Sequence, residues 1–139
     1  MKLFGNATVV FVGGLLCIPL MVGCPASTSI LGTWDCVSYT PELELTSFSQ
    51  VTFFANGEVY IHYPSSGNTY TLYYSFNGHD IEVFGEDTVF TDQGVLVISQ
   101  SSDLTLIGAN LIRGETWQTG SLNGGESLVV YSTETLTRL

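Results

Sequence analysis

Positive charge is almost missing from this 139-residue chain: Lys2, Arg113 and Arg138 stand against 13 aspartates and glutamates. Such a surface repels phosphate backbones and anionic headgroups, which argues against nucleic acid as a partner. Cysteine is scarce as well. Cys17, Cys24 and Cys36 cannot make a disulfide framework, so stability has to rest on a hydrophobic core. Histidine occurs only at His62 and His79, without the spacing of a preformed zinc site. Glu86, Asp87 and Asp92 cluster, but they do not follow the D-x-[DN]-x-[DN]-G calcium loop. There is no G-x-S-x-G and no glycine-rich phosphate loop, and no carboxylate pair is spaced so that it must converge. No catalytic residues, no metal ligands and no cofactor are expected, and the chain does not read as an enzyme.

What is present begins at the N-terminus. Lys2 precedes an apolar run over residues 7–22, 16 residues long. That is shorter than the roughly 20 residues a membrane-spanning helix needs. Gly13, Gly14 and Pro19 weaken it further as a permanent span. It closes on Met21-Val22-Gly23-Cys24, which resembles the lipobox of bacterial lipoprotein signal peptides. The resemblance implies that the Cys24 thiol carries diacylglycerol and that residues 1–23 are removed. Cys17 follows the bulky Leu16 and does not fit that cleavage pattern. The expected address is the bacterial cell envelope, with the protein lipid-anchored and facing an extracytoplasmic compartment. Residues 24–29 then form a lipidated cysteine and short tether. Its five residues after Cys24 reach at most about 18 Å. Removing residues 1–23 leaves 116 residues with two arginines, a net formal charge of −11 and room for one domain over 30–139.

Beyond Ser29 no helical periodicity of useful length is found. Short runs rich in Val, Ile, Thr, Tyr and Phe alternate with turn residues, the pattern of an all-β domain. Strands are predicted near 31–39, 48–54, 58–63, 69–76, 81–84, 95–100, 103–108 and 127–137, with a weaker piece at 88–91 and a long connection over 110–126. Cys36 lies two residues after Trp34, hence on the same strand face, and reads as a buried, inert thiol.

Three turns can be registered by asking which pairing keeps apolar residues on one face. A three-residue loop Ala55-Asn56-Gly57, with Gly57 left-handed, sets Val51 and Phe53 beside Val59 and Ile61. A four-residue loop at Ser65-Ser66-Gly67-Asn68 sets Tyr63 opposite Tyr70 and Ile61 opposite Leu72. A four-residue loop at Asn77-Gly78-His79-Asp80 pairs Phe76 with Ile81 and Tyr74 with Val83. A sheet of consecutive hairpins with no covering helix hides its inner face most economically by closing into an antiparallel up-and-down barrel. About eight strands leave an interior that side chains fill, or that holds one small ligand. A β-sandwich is the alternative.

Gly32-Thr33-Trp34 resembles the opening Gly-x-Trp of the lipocalin-like, or calycin, group. Phe53-Phe54-Ala55-Asn56-Gly57, Asp103-Leu104-Thr105-Leu106 and a final strand ending near Arg138 extend the resemblance over most of 30–139. The 110–126 connection departs from it. The resemblance implies that Trp34 closes one end of the barrel and that Arg138 lies across its ring, a contact of about 0.5–2 kcal/mol.

Two surfaces compete as sites. Tyr63, Tyr70 and Tyr74 on the inner face suit a pocket for a small apolar ligand, or else a filled core with hydroxyls at its rim. On the outer face Tyr60 is predicted opposite Tyr73, and Tyr73 opposite Phe84. That row could dock a protein or a glycan, or lie shielded by the 110–126 connection with Trp117. The leading expectation is therefore a membrane-anchored lipocalin-like barrel with a small apolar ligand. The alternative is a cell-envelope interaction module that binds through its outer aromatic face.

Overall fold

An extended chain that alternates Val, Ile, Tyr and Phe with Thr, Ser and Asn can bury only one of its two faces. Here the buried faces meet around a closed antiparallel barrel. The structure is a computed structural model, and it describes residues 29–139. The expected signal segment and Cys24 lie outside the described residues. Eight strands follow one another: β1 (Gly32–Thr40), β2 (Leu45–Phe53), β3 (Glu58–Tyr63), β4 (Asn68–Phe76), β5 (Asp80–Thr91), β6 (Gly94–Gly108), β7 (Leu111–Leu122) and β8 (Ser127–Arg138). Each pairs with its sequence neighbours, and β8 closes on β1 from Trp34–Arg138 to Tyr39–Thr133. The fold is thus the up-and-down lipocalin-like barrel, not the sandwich. A single 3₁₀ turn, Pro41–Leu43, joins β1 to β2.

The eight strands are not the eight read from sequence. The predicted pieces at 95–100 and 103–108 are one strand, β6, and those at 81–84 and 88–91 are both parts of β5. The expected 110–126 connection is mostly β7, paired on both sides. Glycine and a polar inward face hid it. Gly114 sits where the backbones crowd: a Cβ there would fall 2.1 Å from the Asp103 carbonyl oxygen. Only glycine admits that approach.

The first and third registers hold. Val51 pairs with Ile61 and Phe53 with Val59, and Gly57 has φ +90°. Phe76 pairs with Ile81, Tyr74 with Val83 and Tyr73 with Phe84. The second register is corrected by two residues. Ile61 opposes Tyr70, Val59 opposes Leu72, and Tyr63 opposes Asn68. A slip of two preserves the face, so hydrophobic alternation alone could not detect it. It does change the outer row: Tyr60 opposes Thr71, and Tyr73 opposes Glu58.

The barrel is lopsided along its axis. At the end where β1 begins, Ile30, Trp34, Phe53, Val59, Leu72, Ile81, Ile112 and Leu136 are fully buried and fill the interior. At the other end β5 to β8, 12 to 15 residues long, outrun β1 to β4, at six to nine. β4 and β5 share only four pairs before they part at Gly85. Beyond it the Asp87 carboxylate accepts the Thr71 backbone N–H at 2.7 Å, closing the gap where ladder bonds stop.

Candidate functional site

Trp34 makes the floor. Its ring is fully buried, and its indole N–H donates to the Ile30 carbonyl at 2.9 Å. The Arg138 guanidinium lies 4.3 Å above the ring centre. It also donates to the carbonyls of Ala109 (3.0 Å), Leu31 (3.1 Å) and Ser29. One cation thus ties the chain's entry into the barrel to the β6–β7 turn and the indole. The geometry follows from register: Trp34 and Arg138 are cross-strand partners on adjacent strands.

Above this hydrocarbon floor the interior changes character. A cavity of about 90 Å³ is bounded below by Val51, Val59, Ile61, Val83, Leu104 and Leu136. Its upper wall is polar, with Ser38, Thr40, Ser47 and Ser49 from β1 and β2, Gln100, Ser102, Thr116 and Gln118 from β6 and β7, and Ser132 and Glu134 from β8. The volume admits a few waters or a compact ligand, below the roughly 300 Å³ usual for a drug-sized one. Among the described residues, the buried polar side chains are Thr40, Ser49, Ser102, Thr116 and Ser132, and every one of them lines this cavity.

Two hydrogen-bonded clusters lie side by side on the cavity wall, meeting where Thr116 of β7 and Ser132 of β8 are cross-strand partners. On β6 and β7, Gln118 Nε2 donates to Gln100 Oε1 (3.1 Å), Gln100 Nε2 donates to Ser102 Oγ (3.0 Å), and Ser102 shares a proton with Thr116 Oγ1 at 2.8 Å. On β8 and β1, Glu134 Oε1 accepts from Ser38 Oγ at 2.5 Å and from Cys36 Sγ at 3.1 Å, while Oε2 accepts from Ser132 Oγ at 2.7 Å. Burial, then the Glu134 charge, push the Cys36 thiol far above its ordinary range. The thiol is therefore a protonated donor, not a nucleophile. The Tyr63 phenol is raised for the same two reasons, against a smaller lowering by the nearby Gln118 amide.

The three inward tyrosines separate. Tyr63 lines the cavity. Tyr70 packs edge-on against Tyr63, with ring centres 5.6 Å apart, and lies outside the lining. Tyr74 belongs to the floor: it packs edge-on against Phe53 at 5.0 Å, and its hydroxyl donates to the Phe54 carbonyl at 2.6 Å. On the outer face Tyr60 packs edge-on against Phe54 at 4.6 Å, and Tyr73 lies 6.4 Å from Phe84. All four are substantially exposed. Trp117 does not shield them. It sits on the outer face of β7, 5.6 Å from Tyr131, and carries the aromatic row further around the barrel.

His62 bonds Thr69 at 2.9 Å, and His79 pairs with Asp80 at 3.0 Å, both at the surface. Among the described residues no group of three or more His, Cys, Asp or Glu converges on one point.

Sequence reasoning missed Glu134, Ser132, Gln100, Ser102, Thr116 and Gln118. The signal was available by parity. If Trp34 and Arg138 face inward as partners, Leu136, Glu134 and Ser132 face inward too. If Leu104 and Leu106 face inward on one unbroken strand, so do Ser102 and Gln100. No known protein family, characterised protein or solved structure matches this chain, so the likeness to lipocalins rests on the barrel and the residues described.

Proposed function

We propose that this chain is a lipid-anchored, extracytoplasmic lipocalin-like barrel whose upper cavity binds a compact polar ligand. One observation carries the binding part: every buried polar side chain among the described residues lines one cavity. A barrel selected only for stability would fill that half with Val, Leu and Ile, because buried hydroxyls cost free energy that hydrogen bonds only return. A ligand gives those groups a role.

The anchor rests on Met21-Val22-Gly23-Cys24 and sets an orientation. The Arg138 guanidinium holds the Ser29 carbonyl at the Trp34 end of the barrel, five residues from Cys24. The closed end then faces the membrane, and the cavity opens towards the aqueous compartment. Protein from the membrane fraction is expected to have the intact mass of a chain beginning at Cys24 plus diacylglycerol, with Cys24→Ala abolishing the adduct. A mass for an unmodified chain cut elsewhere removes the anchor. Spin labels at Ser66 and His79 of the membrane-bound protein test the orientation, and greater lipid proximity at Ser66 reverses it.

A second reading draws on the outer face. Tyr60, Tyr73, Phe84 and Trp117 stand between 38% and 49% exposed in one band, a surface on which a protein or glycan can stack. Alanine at Tyr73 and Phe84 separates the two readings, because it leaves the cavity untouched.

A further inference from the structure

We propose that the ligand of the upper cavity is a compact organic ammonium ion, with Glu134 as its counter-ion; this deepens the cavity-binding reading and rests on it. Among the described residues, Glu134 is the only charged side chain lining the cavity. Among the described residues the cations are Arg113 and Arg138. Arg113 is exposed on the outer face of β7, and Arg138 is committed to the Trp34 floor. Every group that bonds Glu134 is a neutral hydroxyl or thiol. Glu134 is half-buried and its three donors are neutral, so a bound cation would be its first countercharge.

The hydrogen bonding leaves a place for one. A carboxylate offers about four lone-pair sites. Ser38 and Cys36 occupy Oε1, whereas Oε2 accepts only from Ser132. One lobe of Oε2 remains for an N–H donor. The adjoining hydroxyls of Ser102 and Thr116, on the same cavity wall, supply further acceptors for the other protons of an ammonium group. Divalent metals fit less well, since calcium takes six to eight oxygens and several charged ones, and here one carboxylate stands among neutral groups. The cavity size selects a ligand of a few heavy atoms. The acidic exterior raises the local concentration of any such cation.

Titration of the mature barrel with ethanolammonium, at fixed ionic strength in sodium chloride and followed by amide chemical shifts, tests this. Ethylene glycol, with the same number of heavy atoms and no charge, is the control. A four-atom ligand binds no tighter than roughly tens of micromolar, so the titration runs to about 50 mM. The expected result is saturation at one site, with shifts at Ser102, Gln118 and Glu134. Ethylene glycol should bind at least tenfold more weakly, and Glu134→Gln should lose at least tenfold for ethanolammonium. Equal binding of both probes in the wild type overturns the cation while sparing the cavity, and this comparison stands even if the variant fails to fold. Shifts confined to surface acids such as Glu86 and Asp92 overturn the cation site. No shift at lining residues with either probe overturns the cation and the cavity reading together.

Discussion

Replacing Trp34 by alanine is the perturbation from which the most follows. A buried tryptophan removes about 150–250 Å² from water, which at about 25 cal/mol per Å² amounts to roughly 4–6 kcal/mol as an upper bound. Measured truncations of large buried aromatics cost about 3–5 kcal/mol, with the cavity left behind included. Trp34 should fall in that range. Its ring is fully enclosed by floor residues that strand pairing holds in place, so they cannot collapse into the gap. A loss of that size is about a third or more of the stability of a domain at about 10 kcal/mol, within the usual range of about 5–15 kcal/mol. Arg138→Ala should cost much less, about 1–2 kcal/mol. It forfeits the contact over the indole, and its carbonyl partners are at the surface, where water can replace it. In a double-mutant cycle the two should couple by about 0.5–2 kcal/mol. Urea unfolding followed by far-ultraviolet circular dichroism measures all three variants. A loss under about 1 kcal/mol for Trp34→Ala would refute the floor, since no fully buried indole is that cheap to remove.

Two further outcomes follow from local geometry. Gly114→Ala should destabilise by at least about 2 kcal/mol, because its Cβ would meet the Asp103 carbonyl at 2.1 Å and the Leu104 Cα at 2.6 Å, backbone atoms that cannot swing aside. Gly120→Ala, whose Cβ would have neighbours only at 3.7 and 3.8 Å, should change stability by less than about 0.5 kcal/mol, and thermal melts of the pair check this. The Cys36 thiol is raised in the folded state, so the native protein keeps a proton that the unfolded chain loses above about pH 8.5. Stability should therefore fall as pH rises through 9 and 10, by up to about 1.4 kcal/mol per unit from this group, and Cys36→Ser should flatten that fall. Native protein at pH 8 should also resist a thiol reagent that labels it at once in urea.

How much of this was legible in the sequence differs from strand to strand. The segments from β1 to the start of β5 carry strong apolar alternation and turn glycines, and there the class of fold could be read. The closed end and the Trp34–Arg138 contact followed instead from the resemblance of Gly32-Thr33-Trp34 and the last arginine to the lipocalin pattern. The later strands carry threonine, serine and glutamine on both faces, so alternation says nothing about which side is inside. Gln100, Ser102, Thr116 and Gln118 face inward only because their neighbours along the strand do, and β7 carried so little apolar signal that it read as a connection. Burying those groups works against the general rule for barrel interiors. Such a conflict between local pattern and fold is what the proposed binding role would produce. Glu134 passed unread as one acid among 13, although its parity with Arg138 along the last strand turns it inward.

The central claim is that the polar upper wall exists for a ligand and not for the fold. The double variant Ser102→Ala, Thr116→Val tests it most directly. It removes a buried hydroxyl pair bonded at 2.8 Å and frees the half-buried Gln100 Nε2, which water in the cavity can take up. Replacing both partners of such a pair by apolar groups of similar shape can be nearly neutral or stabilising. Urea unfolding should give a stability within about 1 kcal/mol of wild type, or above it. A loss greater than about 2 kcal/mol would show that the polar wall holds the barrel together and would contradict the claim.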